Sequence, residues 1–147
     1  MDLFKKQRTM NRLIHFILLL FAFTNCKKDE RDPVALLASL TGIWRPVERT
    51  SPDFVTVAVT NAEPDILEFR FDGVILNRNG FRSCCTPNSY TVNGVYLNIT
   101  PPLPAELDPL CIAASCVSCQ DLHVIQNKPD ELTMYCNGNA TKFIREK

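Results

Sequence analysis

The residues of this 147-residue chain best suited to chemistry are its seven cysteines. "CIAASCVSC" places Cys111, Cys116 and Cys119 at x4 and x2 spacing with Cys136 downstream, the ligand spacing of a [2Fe–2S] cluster. Cys116, Cys119 and His123 also make a set that zinc accepts. Both chemistries need reduced thiolates. With Cys84 and Cys85 the set becomes six, and an even number in a small exported domain reads as a disulfide framework, because an oxidising compartment lets bridges persist. Adjacent residues do not easily reach relaxed disulfide geometry, so Cys84 and Cys85 are expected not to bridge each other. Each then reaches into the Cys111 to Cys136 group, one pair remains inside that group, and the pairing itself stays open. Each bridge would contribute about 2–4 kcal/mol. Thiolate or disulfide therefore turns on export, and the sign of export lies at the seventh cysteine.

"MDLFKKQRTMNR" carries Lys5, Lys6, Arg8 and Arg12 against Asp2, and the apolar run "LIHFILLLFAF" follows from Leu13 to Phe23. These are the n-region and h-region of a secretory leader. At about 1.5 Å per residue the run spans roughly half of a ~30 Å hydrocarbon core, too little for a comfortable transmembrane helix. Phe23, Thr24 and Asn25 then lead into Cys26, which resembles a bacterial lipoprotein signal in a form close to that of Bacteroidota. The resemblance implies removal of residues 1–25 and lipidation of Cys26, an anchor made stable by several acyl chains at about 0.8 kcal/mol per buried CH2. Residues 26–32 form a charged tether. Its "KKDE" is similar to a tag that sends such lipoproteins to the cell surface, the alternative being an outer-membrane protein that faces the periplasm.

Removing the leader leaves 122 residues, enough for one domain with a single core, assigned to residues 33–147. Of 16 basic and 16 acidic side chains the leader takes four and one, so the remainder carries 12 and 15. No basic stripe argues for nucleic acid.

The elements that must position the cysteines read mostly as strands. Asp32 as N-cap and Pro33 at the first position start a short helix that runs to Leu40 and ends at Thr41-Gly42. Period two follows. "FVTVAVT" sets Val55, Val57 and Val59 on one face; "DILEFRF" sets Leu67, Phe69 and Phe71 on one face and turns at Asp72-Gly73. "NSYTV" turns at Asn93-Gly94 into "VYLNI", and "DLHVIQN", "ELTMYC" and "TKFIRE" complete the chain. Asp-Gly and Asn-Gly between alternating runs are strong hairpin signals. The connection from Thr100 to Gln120 holds a proline cluster and three cysteines. Eight to ten strands joined mostly in sequence order hide their edges best by closing into a barrel.

"LTGIWRPVE", with Gly42-x-Trp44 at the entry to the first strand, resembles the signature of lipocalin and wider calycin barrels. Together with "FRFDG", "YTVNG" and the "LTMYC…FIR" ending, residues 36 to 146 resemble the small lipocalin-like lipoproteins of Bacteroidota. The resemblance implies an all-β, antiparallel up-and-down barrel of about eight strands after a short N-terminal helix. It also implies that Trp44 plugs the closed end under a basic residue from the last strand. Period two puts Arg145 on the face of Phe143, where a guanidinium can stack on Trp44 for about 0.5–2 kcal/mol.

No nucleophile elbow, phosphate loop or His-Glu-x-x-His helix is present, and no cofactor or resident metal is expected. His123 alternates with Ile125 in a strand, and Glu68, Asp72 and Glu106 form no acid–base pair by spacing. The expected task is non-enzymatic. An eight-stranded barrel just holds one small hydrophobic ligand, with Val57, Leu67, Phe69, Leu97 and Met134 as candidate lining. The alternative is protein recognition, of the hydrolase-inhibitor or surface-interaction kind, by the stapled loops Phe81 to Asn88 and Pro101 to Gln120.

Overall fold

The computed structural model describes residues 32–60, 65–100, 104–113 and 119–147. The leader, Cys26, its tether and Cys116 lie outside the described residues. Asp32 caps helix α1 (Pro33–Leu40): its carboxylate accepts the Val34 N–H at 3.0 Å, and Pro33 occupies the first turn, where a missing N–H costs nothing. Leu36 and Leu40 face the core. Among the described residues no helix is long and apolar enough to cross a membrane.

Among the described residues nine strands follow: β1 (Gly42–Thr50), β2 (Thr56–Ala58), β3 (Leu67–Phe69), β4 (Ile75–Asn77), β5 (Ser89–Val92), β6 (Val95–Asn98), β7 (His123–Lys128), β8 (Glu131–Cys136) and β9 (Asn139–Arg145). They form one curled sheet, a half-barrel of eight strands in the order β4-β3-β1-β9-β8-β7-β5-β6, with β2 attached to the far end of β1. The fold is all-β with one short helix, but the expected antiparallel meander is not what forms. β7 pairs with β5, not with its predecessor β6, and the two run parallel through Thr91↔His123 and Val92↔Val124. A parallel neighbour needs a crossover of about a dozen residues or more, and the long connection before β7 supplies it. β4 and β6 therefore end the path. The β4 edge is partly covered by bridges from Leu76 to Arg82 and from Arg82 to Leu107.

Turn chemistry sets the hairpins. Asn93 and Gly94 take φ of 48° and 81°, and Asn137 and Gly138 take 48° and 77°, the doubly left-handed two-residue turns that Asn-Gly favours. β3 and β4 are joined by the three-residue loop Phe71–Gly73, closed by Arg70 N–H to Val74 O, with Gly73 at φ 85°. Phe71 is thereby lifted out of the alternation that starts at Leu67 and Phe69, and it is exposed. Asp72 folds back under this loop. Its carboxylate accepts Arg70 Nε at 2.8 Å and Nη2 at 2.6 Å, with a side chain only 5% exposed. Tyr90 donates its hydroxyl to Gly73 O at 2.7 Å and meets Phe69 edge to face at 6.3 Å.

One end of the half-barrel is sealed by Trp44, which is fully buried and donates Nε1–H to Leu40 O at 2.8 Å. Arg145 lies over its ring at 4.3 Å. The same guanidinium donates to Ser39 O and, at 2.5 Å, to Thr41 O, so it also caps the carbonyl end of α1. Gly42, at φ 136°, leaves room for it: a Cβ there would stand 2.8 Å from Arg145 Nη1. Leu40, Phe69, Val92, Val124 and Leu132 fill the space behind Trp44, each worth about 1.5–3 kcal/mol when fully buried.

Gly42→Ala is expected to lower unfolding free energy in urea by about 2 kcal/mol and Arg145→Ala by about 2–3 kcal/mol. Combined, they should cost less than their sum, because deleting the guanidinium deletes the clash. Strict additivity would show that the cost at residue 42 comes from backbone strain at φ 136° and not from the clash. A second prediction concerns acid. The hydrogen bond from Arg70 holds the Asp72 carboxyl below the usual carboxylate range, against the opposing effect of burial. A folded-state pKa below the unfolded one means that this stabilisation is complete above about pH 4 and is lost as pH falls through the lowered value. Asp72→Asn should thus cost about 1–2 kcal/mol at pH 7 and flatten the decline in stability below about pH 4. Parallel acid limbs in the two proteins would refute it.

Candidate functional site

Beyond the packed end the described residues leave part of the half-barrel open. The β8–β9 ladder shows where packing stops: Leu132↔Phe143 is buried, and Met134↔Thr141 and Cys136↔Asn139 come after it toward the Asn137-Gly138 turn. Met134, Cys136, Asn139, Thr141 and the inner edge of Phe143 border a cavity of about 280 Å³. Leu67 of β3, Ile75 of β4 and Leu122, just before β7, complete its apolar wall. Ser83, Cys85, Thr86 and Pro87 close it from the loop between β4 and β5. Among the described residues the lining holds no Asp, Glu, Lys, Arg or His. Such a surface gains by excluding water and offers only hydroxyl, amide and backbone groups for orientation.

Disulfides build part of this wall. Cys119 and Cys136 are bridged, with Cα atoms 5.6 Å apart, and both line the cavity. Cys84 is bridged to Cys111, with Cα atoms 5.1 Å apart, and Cys85 is disulfide-bonded as well. Cys84 thus reaches across into the later group while Cys119 and Cys136 pair inside it. The iron–sulfur and zinc readings fail on this chemistry, since sulfurs joined to each other are not thiolate ligands. Among the described residues no group of three or more His, Cys, Asp or Glu is placed to hold a metal ion.

The five residues expected to line a ligand space are distributed three ways. Leu67 and Met134 face the cavity. Phe69 and Leu97 instead fill the core at the Trp44 end, 1% and 4% exposed. Val57 is a correction: β2 is three residues long and, among the described residues, pairs with the far end of β1 alone, and Val57 is 55% exposed. Trp44 and Arg145 meet at the sealed end, away from the cavity. His123 lies on the outer face, hydrogen-bonded through Nδ1 to Thr91 Oγ1 at 2.6 Å. Glu68 sits in β3, where its charge acts on Arg70, and Glu106 accepts Arg82 N–H through its backbone.

Thr141, Asn139 and the Cys119–Cys136 wall were not anticipated. Parity along β9 could have found Thr141, which shares a face with Phe143 and Arg145. The disulfide wall had no such signal, because the contact joins the end of one strand to a segment 17 residues earlier.

The loop Pro109–Ile112 is a single 3-10 turn capped by Asp108, whose carboxylate accepts Leu110 N–H at 2.9 Å and Asn77 Nδ2 at 2.6 Å. Leu110 and Ile112, on either side of the bridged Cys111, are 76% and 96% exposed.

No family model matches this chain, and no match was found among curated proteins or among solved structures.

Replacing both Cys119 and Cys136 by Ser should lower unfolding free energy by about 3 kcal/mol, as loop closure over a comparable separation gives. Urea unfolding under non-reducing conditions measures it. A loss below about 0.5 kcal/mol would mean that the bridge does not hold the wall.

Proposed function

We propose that this chain is a non-enzymatic, lipocalin-like lipoprotein, anchored to the outer membrane through Cys26, that binds a small hydrophobic ligand. The observation that carries the reading is the uncharged cavity of about 280 Å³ in the half of the sheet that Trp44 does not fill. That volume is near the lower end of the ~300–1,000 Å³ usual for ligand pockets, so the ligand is small. The Gly42–Trp44–Arg145 arrangement at the sealed end supports kinship with lipocalin-like barrels. The leader resemblance supports a lipid anchor on Cys26, with display at the cell surface or toward the periplasm. Nothing in the charge balance favours nucleic acid as a partner.

A second reading, recognition of a protein in the manner of a hydrolase inhibitor or surface adaptor, has its own support. Exposed apolar side chains stand on stapled or tight turns: Leu110 and Ile112 beside Cys111, and Phe54 on the β1–β2 turn, 90% exposed with φ 61°. The sister loops place Gly73 and Gly80 where this turn has Phe54. A bulky residue held in that backbone region costs about 1–3 kcal/mol, the kind of strain retained where a side chain has a task.

Native mass spectrometry of the protein, extracted in detergent without reduction and compared with its denatured mass, separates the readings. The expected result is a non-covalent adduct that disappears in Met134→Trp, which fills the cavity, and persists in Ile125→Trp on the outer face. A bare mass in the unsubstituted protein would overturn ligand carriage and turn the search to protein partners of the turns around Phe54 and Cys111.

A further inference from the structure

On the outer face the register lines up one residue from each of six strands. Tyr96 of β6 pairs with Thr91 of β5, Thr91 with His123 of β7, and His123 with Tyr135 of β8; Ala140 of β9 and Thr50 of β1 continue the row. Directly paired residues leave the sheet on one face. The Thr91–His123 hydrogen bond lies along the row, and Thr50 extends it by a 2.9 Å bond to Thr56 of β2. The residues next to the row in sequence, Tyr90, Val92, Val124 and Leu97, point into the core. Tyr96 is 67% and Tyr135 41% exposed. Three strand spacings separate the two rings, about 14 Å.

The residues two places from each ring along its strand, Gly94 and Asn98 for Tyr96 and Thr133 and Asn137 for Tyr135, are uncharged. Ser89 and Asn98 pair beside Thr91 and Tyr96, and Ile125 and Thr133 pair beside His123 and Tyr135. On the side of Ile125 and Thr133 the row continues to Lys142 and Glu48, on β9 and β1, and on the side of Ser89 and Asn98 the parallel register continues to the exposed Asp121. A partner complementary to this strip is itself uncharged, has apolar faces for two separated rings, and carries groups that both donate and accept hydrogen bonds. A nucleic acid needs cations against its phosphates, and the strip has none. A hydrocarbon surface would leave the free edge of the imidazole desolvated without a partner. A sugar ring has both required features, an apolar C–H face and a rim of hydroxyls. The ring spacing exceeds one sugar unit.

We infer that this row is a binding face for a neutral polysaccharide chain. Tyr96 and Tyr135 stack on sugar rings, Thr91 and His123 through Nε2 meet the hydroxyls between them, and Thr133 meets them beside Tyr135. The face is separate from the cavity and does not depend on it.

The test is native electrophoresis of the full chain, in a detergent without a sugar headgroup, through gels cast with galactomannan, soluble starch or hydroxyethylcellulose, with alginate as the charged control. At least one neutral polymer should retard the protein. Tyr96→Ala and Tyr135→Ala should each weaken the retardation constant roughly tenfold, whereas Tyr96→Phe and Tyr135→Phe should stay within about twofold, because the ring face survives. Both side chains are exposed, and circular dichroism checks that the variants keep the fold. Unchanged mobility in all neutral gels overturns the inference and leaves the strip to a protein partner. Retardation by alginate alone, or retardation that survives both alanine substitutions, also overturns it.

Discussion

The sealed end depends on one cation. Arg145 neutralises the carbonyl end of α1 through Ser39 O and Thr41 O while its flat face covers the Trp44 ring. A single planar guanidinium thus binds the helix, the first strand and the last strand together. Lysine offers no such plane and no such fork of donors. The interaction is also a constraint, because Arg145 passes where a side chain on residue 42 would stand, which restricts that position to glycine. Through the β1–β9 ladder it sets which residues of the last strand face inward. Phe143 and then Thr141 follow Arg145 in register, opposite Pro46 and Arg49.

That register divides the interior into two regions of different character. Near Trp44, large side chains from α1, β3, β5, β6 and β8 pack into one buried cluster. Farther along β8 and β9 the inward residues become Met134, Thr141, Cys136 and Asn139, which are too small or too flexible to fill the same span. The Cys119–Cys136 bridge keeps the wall in place there without bulk. Sealing one end and stapling the other lets a domain of this size hold a cavity, which a small core otherwise lacks the means to stabilise.

Local rules were legible in the sequence wherever neighbours along the chain decide the outcome. Asp32-Pro33 starts α1, Asn93-Gly94 and Asn137-Gly138 turn as Asn-Gly favours, and Asp72-Gly73 closes its loop. The Trp44–Arg145 contact was legible as well, through parity on β9 and the likeness of the Gly-x-Trp entry to a known barrel signature. Parity failed at Val57 and Phe71. Whether an alternating residue is covered depends on what lies across from it, and among the described residues β2 has a neighbour on one side only. Of the five residues expected around a ligand, Leu67 and Met134 face the cavity, while Phe69 and Leu97 are spent on packing.

The sequence by itself determined the strand content, the helix and its cap, the turn positions, and that neighbouring Cys84 and Cys85 look elsewhere for partners. These are consequences of backbone sterics and side-chain period, which act over a few residues. Only the tertiary structure decided that β7 returns parallel beside β5, that Cys119 meets Cys136, and where packing gives way to a cavity. Each of these compares contacts between segments far apart in the chain. Their energies depend on which surfaces meet after collapse, and no periodicity within one strand carries that information.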